Sequence, residues 1–227
     1  MTDTPLTRRG ALEAGATAAV AGLAGCLGGD DRPDDVVLDP PENYDQLQDA
    51  DLPYPVYGER LPEASVPGVV HDRTVSTREF VGDRHLLLTF VYTRCSGICL
   101  GLGSNLVQVQ ARASSGGYTD EVALGAVSFD PEHDTPERFR TWGEERGFDY
   151  ELGNAYLLRP ESPERARAVV EDTFGEAYEH EAGADMPFLH SGLLVLANDQ
   201  GVVERAYAGD PPSPSTVVDD VEALVEG

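Results

Sequence analysis

The chain has 227 residues, 41% of them hydrophobic. That is enough for one domain with flanking segments and a packed core, and it excludes wholesale disorder. Acidic residues number 41 against 16 basic ones, a formal charge of −25, and every basic residue is arginine. Such a surface repels nucleic acid and anionic lipid and argues against a phosphate-binding role. The acids run along the whole chain, which suits solvation in concentrated salt, where self-repulsion is screened, better than a single docking face.

At the N-terminus, Arg8-Arg9 precede an Ala/Gly-rich apolar stretch, Ala14 to Gly25, that ends in Leu23-Ala24-Gly25-Cys26. Twin arginines before a short, weakly apolar segment resemble a Tat export signal. The segment falls short of the roughly 20 apolar residues that span a bilayer. Leu-Ala-Gly-Cys matches a lipobox, whose cysteine is lipidated in the mature protein. Residues 1–26 are therefore expected to be the signal, with Cys26 the lipidation site. Residues 27–51, with Gly28-Gly29, several Asp and Pro33, Pro40 and Pro41, read as a flexible acidic tether. The remainder, 52–227, is the expected domain. The predicted location is the outer face of the cell membrane, through a lipid anchor. With Cys26 lipidated, Cys95 and Cys99 are the remaining thiols of the three cysteines. Outside the cytoplasm such a pair forms a disulfide, binds metal, or cycles between the two.

Within the domain, His85 to Tyr92 is a continuous apolar run, the pattern of a strand buried on both faces. It leads directly into Thr93-Arg94-Cys95-Ser96-Gly97-Ile98-Cys99. Leu102, Leu106 and Val109 then follow at helical spacing, so Cys99 belongs in or near a first helical turn. Glu121 to Phe129 reads as the next strand, broken by Asp130-Pro131. Asp134-Thr135-Pro136-Glu137 opens a second helix, with Asp134 the expected cap. Ala155 to Leu158 is a short strand, and Ser162-Pro163 starts a third helix reaching about Phe174. Ser191 to Ala197 and Val202 to Tyr207 form a hairpin about the Asn198–Gly201 turn. Ser213-Pro214 begins a closing helix. This order predicts an α/β, thioredoxin-like fold: a central mixed sheet flanked by helices.

A strand–loop–helix junction puts the first cysteine at the exposed end of the sheet and the second among helix N-terminal amides, which favour a thiolate. Two low-pKa thiolates suit a soft cation such as Cu(I). Three residues separate Cys95 from Cys99, where the redox loop of thioredoxins has two, and the wider spacing leaves room for a metal. A thiol–disulfide oxidoreductase, with Cys95 attacking and Cys99 resolving, stays open on this reading. His133 reads as a solvated loop residue, and His71, His85 and His180 carry no functional weight.

Three segments resemble the SCO/SenC family. Tyr92-Thr-Arg-Cys-Ser-Gly-Ile-Cys99 is similar to its copper loop. Val127-Ser-Phe-Asp-Pro-Glu-His-Asp-Thr-Pro-Glu137 is similar to its Ser-x-Asp-Pro-x-x-Asp-Thr-Pro segment. His190-Ser191, before a strand and the Asp199–Gly201 turn, is similar to its His-Ser/Thr strand. The resemblance implies a copper site, Cu(I) or Cu(II), with Cys95, Cys99 and His190 as ligands. It further implies a metallochaperone, not an enzyme in the ordinary sense. Its partner would be subunit II of a respiratory cytochrome oxidase or a similar copper acceptor, whose dinuclear copper site it helps to assemble. The chain departs from the family pattern at Ser96 and Leu100, where proline is usual. At Leu189 an aspartate is common, and its replacement removes a carboxylate that would orient the imidazole.

Overall fold

The computed structural model describes residues 33–48, 50–180 and 188–227. In chain order the elements are α1 (Tyr44–Gln48), β1 (Ser65–Pro67), β2 (Thr74–Ser76), β3 (His85–Val91), α2 (Ile98–Gly116), β4 (Val122–Ser128), α3 (Pro136–Arg146), β5 (Ala155–Leu158), α4 (Pro163–Val170), β6 (Tyr178–His180), β7 (Phe188–His190), β8 (Leu193–Ala197), β9 (Val203–Ala208) and α5 (Pro214–Glu226). The main sheet has five strands in the order β5-β4-β3-β8-β9. β3 runs parallel to β4, and β4 to β5, whereas β8 pairs antiparallel with both β3 and β9. This is the mixed sheet with flanking helices expected from the sequence.

Every residue of β3 and β4 is buried. Parallel strands joined by helical crossovers have both faces covered, which is why these segments are apolar without alternation. Helix α2 packs on α5 and against β3 and β4. It buries Leu102, Leu106, Val109 and Ala113, the 3.6-residue stripe that its sequence shows. Helices α3, α4 and α5 each carry a proline in the first turn behind a Thr or Ser cap: Thr135, Ser162 and Ser213.

Asp134 is not the cap of α3; Thr135 is. The Asp134 carboxylate is fully buried and accepts instead from Ser128 Oγ at 2.6 Å and from Thr93 Oγ1 at 2.5 Å and Thr93 N at 3.2 Å. It thereby ties the ends of β3 and β4 together where the cysteine loop begins. Burial pushes its pKa above the usual carboxylate range, against the pull of these hydrogen bonds.

The third helix is shorter than expected, ending at Val170. The strand predicted from Ser191 begins at Leu193 and is preceded by a separate ribbon in which β7 pairs antiparallel with β6, Tyr178 opposite His190. Gly192 makes the break: its φ is +80°, and a Cβ there would collide with Ile98. Within the 27–51 stretch, Val37 N and Leu38 N donate to the two carboxylate oxygens of Glu204 at 2.7 and 3.0 Å. Asn198 Nδ2 donates to the same carboxylate at 2.6 Å, and Tyr57 Oη to Leu38 O at 2.6 Å. Glu204 is fully buried on β9, so these donors balance its desolvation. Glu204→Ala is expected to orphan two backbone N–H groups at about 1–3 kcal/mol each. Urea denaturation measures the loss, and amide exchange at Val37 and Leu38 accelerates if the strap is released.

Candidate metal centre

The loop between β3 and α2 carries both thiols. Cys95 lies in the turn after Tyr92, its N–H donating to Tyr92 O at 3.2 Å, and Cys99 is the second residue of α2. The third group arrives from a different part of the chain: His190, the last residue of β7, which the antiparallel β6 partner holds beside the loop. One ligand atom each from Cys95, Cys99 and His190 lies within 4.8 Å of the others. His190 Nε2 is 3.2 Å from Cys99 Sγ. The structure thus brings together all three residues singled out from the sequence. The set lies just below the surface: the Cys95, Cys99 and His190 side chains are buried, while Arg94, Ser96, Gly97 and Leu100 around them are exposed.

Aromatic rings enclose the imidazole. Phe129 and Tyr92 lie 5.1 and 6.2 Å from it between centroids, and Phe188 packs on both. Tyr92 therefore covers the site, whereas Trp142 belongs to the core with Phe139 and Phe148. A cavity of about 530 Å³ adjoins the centre, lined by Arg94, Phe129, Asp130, His133, Tyr178 and Phe188 among others. Across its rim Arg94 is paired with the buried Asp130 at 2.6 Å.

The electrostatics differ from the expectation of two low-pKa thiolates. The Cys95 thiol is lowered to about 4, first by the hydrogen bond from Cys99 and further by His190 and the amides of Cys99 and Gly97, against burial. Cys99 moves the other way, pushed up by burial and by the adjacent Cys95 thiolate. The metal-free pair therefore holds one charge, because a second in a buried site would face the first at short range. Burial alone would lower the pKa of His190, but hydrogen bonds to the Cys95 thiolate and to Glu176 raise it to about 9.

Glu176 went unrecognised in the sequence. Its carboxylate, 1% exposed, lies 2.9 Å from His190 Nδ1. It supplies the orienting carboxylate that seemed lost with the aspartate at position 189. Leu189 itself is 61% exposed and turned away from the core. Only the αβ-loop position after α4 could have hinted at Glu176, because nothing in spacing links residues 176 and 190. His71 and His85 have structural partners, Ala155 O and Asp199 N, and His133 contacts Arg138. The side chain of His180, along with Arg8, Arg9 and Cys26, lies outside the described residues. No described helix is long and apolar enough to cross a membrane.

Two sulfurs and an imidazole nitrogen, all able to reach one point, form a donor set matched to a soft or borderline ion such as copper. Comparison with known structures places the fold. A SCO1/SenC family lipoprotein from Bacillus anthracis superposes with a TM-score of 0.61 at 20% identity, covering 73% of this chain and 95% of that one. BsSco, described as a member of the Sco family of cytochrome c oxidase assembly proteins with a disulfide switch, gives 0.60 at 19% identity over 75% and 95% of the two chains. Arabidopsis thaliana ScoI with copper bound gives 0.56 at 18% identity over 74% and 99%. No curated protein matches the sequence. The fold is thioredoxin-like, and the SCO1/SenC family profile matches residues 69–226. The chain belongs to the SCO1/SenC family.

Proposed function

We propose that the protein binds one copper ion through Cys95, Cys99 and His190 and delivers it to the copper site of a respiratory terminal oxidase. The observation that carries this reading is the convergence of the two sulfurs and the imidazole within 4.8 Å from separate parts of the chain. Family membership supports it, as do the copper-bound Arabidopsis relative and the oxidase-assembly role stated for BsSco. A shallow site suits handover, since an acceptor's thiolates need pass only the exposed Arg94, Ser96 and Gly97 to displace ligands one at a time. The acceptor is proposed to be oxidase subunit II or a protein with a similar copper site. Export through the Arg8-Arg9 signal and lipidation at Cys26 would hold the domain at the outer membrane face, beside such an oxidase.

A second reading, thiol–disulfide exchange, draws on the Cys95 thiolate at about 4 beside a protonated Cys99. That is the arrangement of an attacking and a resolving thiol. His190 would serve that reading only by stabilising the Cys95 thiolate, whereas the convergence of its Nε2 with both sulfurs is what a metal needs, so copper binding is preferred.

Reduced full chain, dialysed against a weak chelator, is expected to retain one copper per chain with intense thiolate-to-Cu(II) bands. The Cys95→Ser/Cys99→Ser double variant should retain none; stoichiometric copper in that variant would falsify the assignment. His190→Ala should weaken Cu(II) at least about tenfold more than Cu(I), because two thiolates alone hold linear Cu(I).

Binding also carries a proton signature. At pH 7 Cys95 is already ionised, whereas Cys99 and His190 Nε2 are protonated and must release a proton each. About two protons should therefore leave per copper, so affinity rises with pH by about a hundredfold per unit between the Cys95 value of about 4 and the His190 value of about 9. Calorimetry in buffers of different ionisation enthalpy counts them; no proton release would contradict the assigned charge states.

A further inference from the structure

We propose that Glu176 is the positioning residue of this site: its carboxylate fixes the His190 ring with Nδ1–H as donor and Nε2 toward the cysteines, and so favours Cu(II) over Cu(I). The proposal rests on the copper-binding reading above and adds to it a residue and an oxidation-state preference.

The geometry is specific. Glu176 Oε1 accepts from His190 Nδ1 at 2.9 Å and from Gly192 N at 2.7 Å, and Oε2 accepts from Ser191 Oγ at 3.0 Å. An ionised carboxylate is an acceptor only, so the ring nitrogen facing it carries hydrogen and the lone pair available to a metal is on Nε2. Nε2 is the nitrogen that faces Cys99 Sγ, at 3.2 Å. Among the described residues, the ion-pair partner of Glu176 is His190, and no arginine shares the carboxylate. The ring is thus the charged partner of this carboxylate, and its other donors, Gly192 N and Ser191 Oγ, are neutral.

The carboxylate is itself held. Glu176 N donates to Val170 O at 3.0 Å, Gly175 N to Glu171 O at 3.0 Å, and Ser191 N to Ala177 O at 3.3 Å. Gly175 has φ +70°, and a Cβ there would overlap the carbonyl of Pro53, so residue 175 is clamped between the end of α4 and the 53–54 segment. A rigid anionic acceptor on the far nitrogen makes the imidazole a stronger donor. Stronger donation stabilises the more highly charged ion.

A purely structural Glu176, needed only to fold the turn at residues 190–192, would lower stability without changing the metal spectrum. The test uses the full chain and its Glu176→Gln and Glu176→Ala variants, loaded with Cu(II) or with Cu(I) in competition with a Cu(I)-selective chelator. Gln keeps the shape and one acceptor oxygen but not the charge; Ala removes both.

Cu(II) affinity is expected to fall about tenfold in Glu176→Gln and about a hundredfold in Glu176→Ala. Cu(I) affinity should change by less than about threefold, since the two thiolates dominate that site. A tenfold loss confined to Cu(II) raises the one-electron potential by about 59 mV, and the thiolate-to-Cu(II) bands shift with it. In the metal-free protein, ¹⁵N-histidine NMR should show an exchange-protected Nδ1 proton on His190 that is lost in Glu176→Ala. Glu176→Gln covers the case in which the Ala variant does not fold. Unchanged Cu(II) affinity and spectrum in Glu176→Gln, or an unchanged Nδ1 proton in Glu176→Ala, would overturn the proposal. So would equal weakening of both oxidation states with an unchanged spectrum, which marks a folding role. If wild-type protein holds no copper, the copper reading fails separately. The metal-free NMR then still decides whether Glu176 positions the ring.

Discussion

Placing an ionised carboxylate out of contact with water costs several kcal/mol unless its lone pairs are met by donors. Glu176, 1% exposed, meets this requirement with donors from three consecutive residues, His190, Ser191 and Gly192. The constraint reaches further than the pair itself. To satisfy the carboxylate, the exit from β7 must lie against the loop after α4, and the positive φ of Gly192 then redirects the chain into β8. His190 comes to rest over the cysteine loop as a result. The same arrangement separates His190 from the main sheet, on a two-stranded ribbon of its own.

The opposite wall of the centre depends on a second buried carboxylate. Asp134 joins Thr93 to Ser128 and so sets where the chain leaves β3. Cys95 follows two residues later, and α2 begins at Ile98. The two cysteines are thus positioned by the sheet and by one aspartate, whereas the histidine is positioned by one glutamate. Arg94, paired with Asp130, holds the loop's outer edge.

Charge also limits the centre before metal arrives. Cys95 takes the negative charge, Cys99 keeps its proton, and His190 carries a positive charge between Cys95 and Glu176. With the Glu176 carboxylate, the buried cluster in that state carries one net negative charge, which favours entry of a cation. A cation that replaces the protons on Cys99 and His190 meets two thiolates and a neutral imidazole, which is the donor set that discriminates for a soft ion.

Much of this could be read from the chain. The apolar runs at 85–92, 121–129 and 155–158 and the proline-led helices identified the layers, because strands buried on both faces and helices with polar caps obey local rules. The two cysteines are legible for the same reason: they lie four residues apart at a strand–helix junction. Local patterning failed where the partner is distant. Asp134 resembles a cap in sequence, but Thr135 takes that role and Asp134 turns inward to Thr93, 41 residues earlier and just past β3. Leu189 suggested that the imidazole lacked a carboxylate, and the tertiary structure supplies one from Glu176. Sequence alone determined the α/β order, the cysteine loop and the candidate histidine, since these follow from periodicity, spacing and motif. Only the folded chain decided how the thiols share their charge, what orients the histidine, and that Nε2 is the nitrogen facing them. Those properties arise from burial and from hydrogen bonds between segments that are remote in sequence, on which no local pattern carries information.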